Sequence, residues 1–318
     1  VVEILGRRVK IGPPPRARWL ISDFTSWKYR PLLLEGPVEY RLPRGAYFEY
    51  AFLDAAGRPF ADPDNPQRAD NPWYDYARAV ALPGAAAPPE YPGELLGAVE
   101  RLTVGGRRLL VYEPPERPRG CLLVFDGVAY YRLGRLARAA EALWLAGRVR
   151  PLRIVFSEPA DRESEYRFDA GLERLVLDEL PAALAALGGG PDCDSLWGAS
   201  LGGLAALWLA LGHPDVFGAV AAQSPALLAV PGGGDAHADA EWLTERYAAA
   251  EATPERLAVQ AGLLEWLLAP IRRFAAVLAD RGAAHEYREY PSGHNWHTWR
   301  LGIEDALLDL FGLDLEEG

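Results

Sequence analysis

The sequence predicts an α/β protein: a doubly wound, mostly parallel sheet over residues 93–318, preceded by a small all-β sandwich over residues 1–92. Three observations lead there. The chain has 318 residues, more than one hydrophobic core of about 250–300 residues usually absorbs. Its composition breaks at Pro83-Gly-Ala-Ala-Ala-Pro-Pro-Glu-Tyr-Pro-Gly93, where prolines and glycines cannot continue a helix or a central strand and read as a linker. Finally, the hydrophobic pattern changes from short strand-like runs before that linker to alternating strand and helix after it.

Before the linker, Arg18–Ile21, Val38–Leu42 and Tyr47–Leu53 are apolar runs of strand length. They are separated by the turn clusters Leu42-Pro-Arg-Gly45 and Asp54-Ala-Ala-Gly57, the spacing of a small sandwich. After it, strands are expected at Leu109–Tyr112, Cys121–Phe125, Leu152–Phe156, Ser195–Gly198, Val216–Ala222, Arg256–Gln260 and His285–Tyr290. Helices are expected at Leu133–Ala146, Gly171–Leu187, Leu201–Leu211, Leu264–Arg281 and Trp299–Phe311. Apolar strands separated by helices belong to a parallel sheet covered on both faces.

Charge and cysteine content exclude several classes. The net charge is −11 and no basic block interrupts the acidic balance, so no nucleic-acid partner is expected. Two cysteines make neither a disulfide scaffold nor a metal-ligand pattern, and no metal or cofactor is called for. Cys121 and Cys193 open two strands that should be neighbours, and buried reduced thiols are expected there. Residues 195–214 are uncharged and about as long as a membrane span. Their glycines, Ser200 and the closing His213-Pro214 fit a strand, a sharp turn and a buried helix better. The chain begins without Met, and Val1 to Lys10 carry both signs of charge and no apolar core. No signal peptide and no membrane partner are expected, and a cytoplasmic location is the default.

Chemistry concentrates at Gly198-Ala199-Ser200-Leu201-Gly202-Gly203, set between a strand candidate and an apolar helix candidate. A nucleophilic Ser needs a turn so tight that only small neighbours fit, with a helix N-terminus behind it to favour developing negative charge. A Gly-rich helix start with an idle Ser is the bland alternative, and the strand–turn–helix context argues against it. A Ser hydroxyl also needs a base oriented by a carboxylate. With a nucleophile on such a turn, acid and His follow it in the chain. His294, in Pro291-Ser-Gly-His-Asn295 after the last strand, stands where a base is required, and His297 is its competitor. Glu265, just past the strand 256–260, is the candidate acid. A Glu there could equally serve only the helix dipole, and Asp235 and Asp239 are the alternatives. An oxyanion hole needs two backbone N–H groups: one from Leu201, and one from the loop after Cys121–Phe125, with Val128 the first choice and Gly127 the second.

These residues resemble a known family. WGASLGGLAAL, FDGVAYY, DRESEY (161–166), GLLEWLLAPIRRF and SGHNWHTWR together are similar to the enterochelin esterase-like branch of the esterase family within the α/β hydrolases. The likeness runs from about Ala98 to Gly312. Asp23-Phe-Thr-Ser-Trp27, Gly45–Phe52 and Asp62-Pro-Asp-Asn-Pro66 resemble that branch's immunoglobulin-like N-terminal domain. The resemblance implies an α/β-hydrolase fold and a serine esterase with an acyl-enzyme intermediate. Ser200, Glu265 and His294 match its triad, and Arg162 matches an Arg of the loop lining the pocket. It also implies a small-molecule ester substrate, a ferric catecholate siderophore of the trilactone type. This chain has Ser-Gly-His at 292–294 where many relatives have Gly-Gly-His. A carbohydrate esterase removing feruloyl or acetyl groups is the alternative activity, and an idle hydrolase scaffold that only binds is the alternative class. Trp296 is a candidate to stack on an aromatic acyl group, although aromatic residues beside a helix also serve packing.

Overall fold

The computed structural model describes residues 2–187, 190–233 and 241–313. The chain forms two compact units. One comprises Val1–Pro89 with two later segments, Ala261–Leu268 and Glu289–Leu301; the other comprises Glu90–Gln260, Ala269–Arg288 and the chain from Gly302 on. Two segments from the second half of the sequence thus belong with the first unit.

In the first unit, β1 (Val2–Leu5), β2 (Arg8–Ile11) and β5 (Val38–Arg41) make a three-stranded antiparallel sheet in the order β1-β2-β5. β3 (Trp19–Ser22), β4 (Leu32–Leu33), β6 (Tyr47–Leu53), β7 (Pro59–Phe60) and β8 (Arg78–Ala81) make a second, with β6 paired to β3, β7 and β8. Val9 and Ile11 of the first sheet pack with Leu20, Phe48, Tyr50 and Phe52 of the second in one buried cluster. The alternation of β6 sends Phe48, Tyr50 and Phe52 to that cluster, while Ala51 joins Ile21, Trp27 and Ala77 on the opposite face. Buried on both faces, β6 is apolar at every position but Glu49. The turn at Asp54 is an Asx turn: its Oδ1 accepts the Ala56 and Arg58 N–H groups at 2.9 and 3.0 Å.

The second unit is built on β9 (Ala98–Val104), β10 (Arg107–Glu113), β11 (Cys121–Phe125), β12 (Arg153–Ser157), β13 (Ser195–Ala199), β14 (Ala219–Gln223), β15 (Arg256–Gly262) and β16 (His285–Tyr290). Their order is β16-β15-β14-β13-β11-β12-β10-β9. β9 and β10 form an antiparallel hairpin, β10 is antiparallel to β12, and β12 through β15 pair in parallel. β11 to β14 are buried at every position. This is the doubly wound, mostly parallel α/β-hydrolase sheet, and the N-terminal sandwich precedes it. Cys121 and Cys193 are both buried and unbonded to each other as a disulfide; burial and the neighbouring Cys193 thiol push the Cys121 thiol well above its ordinary value.

Three element boundaries differ from expectation for physical reasons. The helix expected at Leu264 begins at Leu268, because Pro270 has no N–H to bond a carbonyl four residues back and the preceding residues are free to turn. The C-terminal helix is two, Trp296–Leu301 and Ile303–Phe311. They part at Gly302, where a Cβ would collide with the Gln260 side chain. Strand β14 starts at Ala219 and not at Val216, because the Val216 and Phe217 N–H groups close a turn on His213 O at 3.0 and 2.9 Å. Among the described residues no helix is long and apolar enough to cross a membrane.

Candidate active site

Ser200 joins β13 to the helix Leu201–Gly212 at φ 56° and ψ −121°, a conformation that costs a non-glycine residue about 1–3 kcal/mol. Its surroundings enforce it. A Cβ on Gly198 would collide with the Gly202 backbone, and one on Gly203 would stand 3.1 Å from Gly198 O. The Ser200 N–H donates to Gln223 O at 2.9 Å, and the Ser200 carbonyl accepts from Leu204 and Ala226, each at 3.0 Å. The strain is thus held by β14 on one side and the helix on the other. Leu201 is the first residue of that helix, so its N–H is among those with no intrahelical acceptor.

The loop after β11 is built around Asp126, itself at φ 53°. Its carboxylate accepts two bonds from the Arg162 guanidinium, at 2.8 and 2.9 Å, and its N–H donates to Tyr166 Oη at 2.9 Å. Arg162 also reaches Ala199 O at 3.4 Å. Burial opposes the Arg162 charge, but Asp126 outweighs it and holds the guanidinium firmly protonated. Sequence resemblance assigned Arg162 to the pocket lining; the structure places its charge on Asp126, where it ties the strand-end loop to the residue before Ser200. Gly127 has no space for a Cβ, which would collide with the Phe156 and Ser157 backbone. The glycine therefore serves a close approach to β12. The Val128 N–H, the first choice for the second oxyanion donor, donates to Glu158 Oε1 at 2.5 Å. Burial raises the Glu158 carboxyl above its ordinary range, against the Val128 bond, which lowers it.

In the first unit, Glu265 lies in the turn after β15 and not on a helix, so the helix-dipole role does not apply to it. Its Oε2 is 2.8 Å from His294 Nδ1, and its Oε1 accepts the Gly262 N–H at 3.1 Å. The Glu265 side chain is fully inaccessible and that of His294 is 11% exposed. Trp266 and Trp299 flank the imidazole, with ring centres at 4.6 and 5.3 Å. His297 stacks on Tyr47 at 3.8 Å with rings 4° from parallel. Burial, then the Arg300 charge, push it down to about 4, so it is a neutral packing residue at neutral pH. Asp235 and Asp239, the alternative acids, lie outside the described residues.

Trp296 requires a correction. Its ring is 1% exposed and sits against Trp73 and Trp299 at 6.2 and 5.0 Å, so it packs and has no face to offer an acyl group. The accessible indole of this cluster is Trp73, 46% exposed, contributed by the N-terminal segment. Sequence reading also missed Asp23, fully buried with His294-loop contacts, and the roles of Asp126, Glu158 and Tyr166. Each was visible only as a residue type. A buried carboxylate is recognised by its donors, and those come from elsewhere in the chain.

Ser200, Glu265 and His294 each follow the carboxyl end of a strand, β13, β15 and β16 respectively. A family model described as "Esterase: Putative esterase" matches residues 106–310. The chain is 29% identical over 286 residues to the iron(III) enterobactin esterase of Dickeya dadantii, covering 76% of this chain and 63% of that protein. It is 25% identical over 238 residues to the iron(III) salmochelin esterase of Escherichia coli, covering 70% and 57%. It therefore spans somewhat under two thirds of the length of these curated relatives. Among solved structures, the enterobactin esterase of Shigella flexneri, crystallised in the presence of 2,3-di-hydroxy-N-benzoyl-serine, superposes with a TM-score of 0.72 at 20% identity, over 97% of this chain and 95% of that one. At that identity the likeness carries the fold.

Proposed function

Because this chain belongs to the esterase family, we propose that it is a serine carboxylic-ester hydrolase with Ser200 as nucleophile, His294 as general base and Glu265 as the acid that orients it. The observation carrying this reading is the 2.8 Å hydrogen bond from His294 Nδ1 to the inaccessible Glu265 carboxylate. With Nδ1–H committed to Glu265, the base lone pair is fixed on Nε2, the tautomer that general-base attack by a serine requires.

In the proposed cycle, Nε2 takes the Ser200 hydroxyl proton as Oγ attacks the ester carbonyl. The negative charge moves to the former carbonyl oxygen, where the Leu201 N–H and one donor from the Gly127–Val128 loop stabilise it. The His294 imidazolium, stabilised by Glu265, then protonates the departing alcohol oxygen, leaving an acyl-Ser200 ester. Water activated by the same base hydrolyses that ester and restores the enzyme. Ser200 is held in its strained conformation before substrate arrives, so no reorganisation is needed for attack.

The proposed substrate is a siderophore ester of the ferric catecholate type, with iron as part of the cargo. The names of the two curated relatives support this reading, and both act on iron(III) siderophore esters by those names. The accessible Trp73 indole offers an aromatic surface near the His294 cluster that suits a catechol ring. The test is a hydrolysis panel of a ferric catecholate trilactone, a feruloyl sugar and a short p-nitrophenyl ester, with Ser200→Ala as control. Preferential turnover of the trilactone, abolished in the variant, is the expected result. Preference for the feruloyl sugar would reassign the substrate while leaving the mechanism in place.

A further inference from the structure

Asp23 is a carboxylate with 0% exposure, an arrangement that costs several kcal/mol unless hydrogen bonds or a neighbouring charge offset it. It stands just past β3, in a short turn Asp23–Thr25. Three N–H donors converge on it. Oδ2 accepts from the Glu49 backbone at 2.7 Å and from Asn295 Nδ2 at 2.8 Å, and Oδ1 accepts from Trp27 Nε1 at 3.1 Å. Burial raises the carboxyl to about 6, and the three bonds, each favouring the ionised form, offset only part of that rise.

Asn295 is the residue after His294. With its amide nitrogen on Asp23, its Oδ1 accepts the Thr298 N–H at 3.1 Å and the Ser292 hydroxyl at 3.2 Å. The Thr298 hydroxyl donates to Gly293 O at 2.6 Å. Ser292, Asn295 and Thr298 are all buried to within 1%. The residues on both sides of His294 are therefore wired together, and the wiring ends on Asp23. Packing agrees, because a Cβ on Gly293 would collide with the Asp23 carboxyl group. The loop thus lies directly on the N-terminal carboxylate. Tyr47, which opens β6, adds a backbone bond to Pro291 O at 2.9 Å.

From this geometry we infer that Asp23, acting through Asn295, is a positioning residue for the general base, so that the N-terminal segment sets the placement of His294. The inference rests on the reading of His294 as the base. Asp23 fixes the orientation of the Asn295 amide and hence the loop backbone from which His294 reaches Glu265. The charged or titratable groups facing Asp23 are Glu49, His294 and the Tyr47 hydroxyl. Glu49, fully buried and raised first by burial and then by the Asp23 charge, is the protonated member of that pair.

The test compares Asp23→Asn, Asn295→Ala and the double variant in the full chain, using a p-nitrophenyl ester too small to need remote contacts. Displacement of a reacting group by about 1 Å costs up to roughly 10²-fold in rate. Each single variant should therefore lower kcat by about 10- to 100-fold with KM little changed, and the double variant should be no worse than the poorer single one. A wild-type kcat in Asp23→Asn would overturn the proposal, as would additive losses in the double variant. If Asp23→Asn does not fold, a wild-type kcat in Asn295→Ala overturns it. His294→Ala separates the two readings: full activity there refutes the base assignment, whereas an inactive His294→Ala beside unaffected Asp23 and Asn295 variants refutes only the positioning.

Discussion

His294 Nδ1 lies 2.8 Å from Glu265 Oε2, and the Glu265 carboxylate is kept in place by a second bond, from the Gly262 N–H at 3.1 Å. That second bond aims the carboxylate at the imidazole and makes it more than a nearby charge. Glu265→Gln preserves the shape, but its amide cannot stabilise an imidazolium and can turn the ring to the wrong tautomer. We expect kcat to fall about 10³- to 10⁴-fold with the melting temperature little changed. Stopped-assay kinetics on a p-nitrophenyl ester would check it, and a near-normal rate would move the acid to Asp235 or Asp239.

Ser200 is held at φ 56° by glycines that cannot be replaced. A fluorophosphonate probe should label Ser200 alone, as read by peptide mass spectrometry. Ser200→Ala should abolish labelling and lower kcat by about 10⁴- to 10⁶-fold with the fold intact. Ala tolerates the same backbone, so no loss of stability should accompany it.

Glu158 occupies the Val128 N–H, the group an oxyanion would use. A carboxylate there competes with the transition-state charge, and burial has already raised its carboxyl. If Val128 supplies the second donor, Glu158→Ala should raise kcat/KM on the small ester several-fold. An unchanged kcat with a lower melting temperature would show that Glu158 only caps the turn at residues 127–134, and Gly127 would then be the donor to test.

His297 is the source of a stability change with pH. Burial and Arg300 push it down to about 4 from an ordinary 6.5, so between those values the unfolded chain binds the proton and the folded chain does not. Stability contributed by the neutral ring is present above 6.5 and is lost as pH falls towards 4. At 1.36 kcal/mol per unit, reduced for its partial exposure, the loss should be about 2 kcal/mol. His297→Phe keeps the stack on Tyr47 and removes the titration. Urea denaturation at pH 7 and pH 4.5 should therefore show a smaller difference in the variant than in the wild type.

Sequence alone determined the elements whose physics is local. Five-residue apolar strands such as Cys121–Phe125, the strand–turn–helix around Ser200, and a His placed after the last strand each announce themselves through residue type and spacing. Where contact with a distant side chain sets a boundary, as Gln260 does at Gly302, the sequence pattern ran on past the true end. The tertiary structure alone decided what each polar group is bonded to. It buried Trp296, committed Arg162 to Asp126, set Glu158 against Val128, and joined Asp23 to Asn295 across 272 positions of sequence. Periodicity reports which face of an element is buried. It carries no information on which distant donor meets a buried carboxylate, and that pairing fixes how the charged groups of this protein can act.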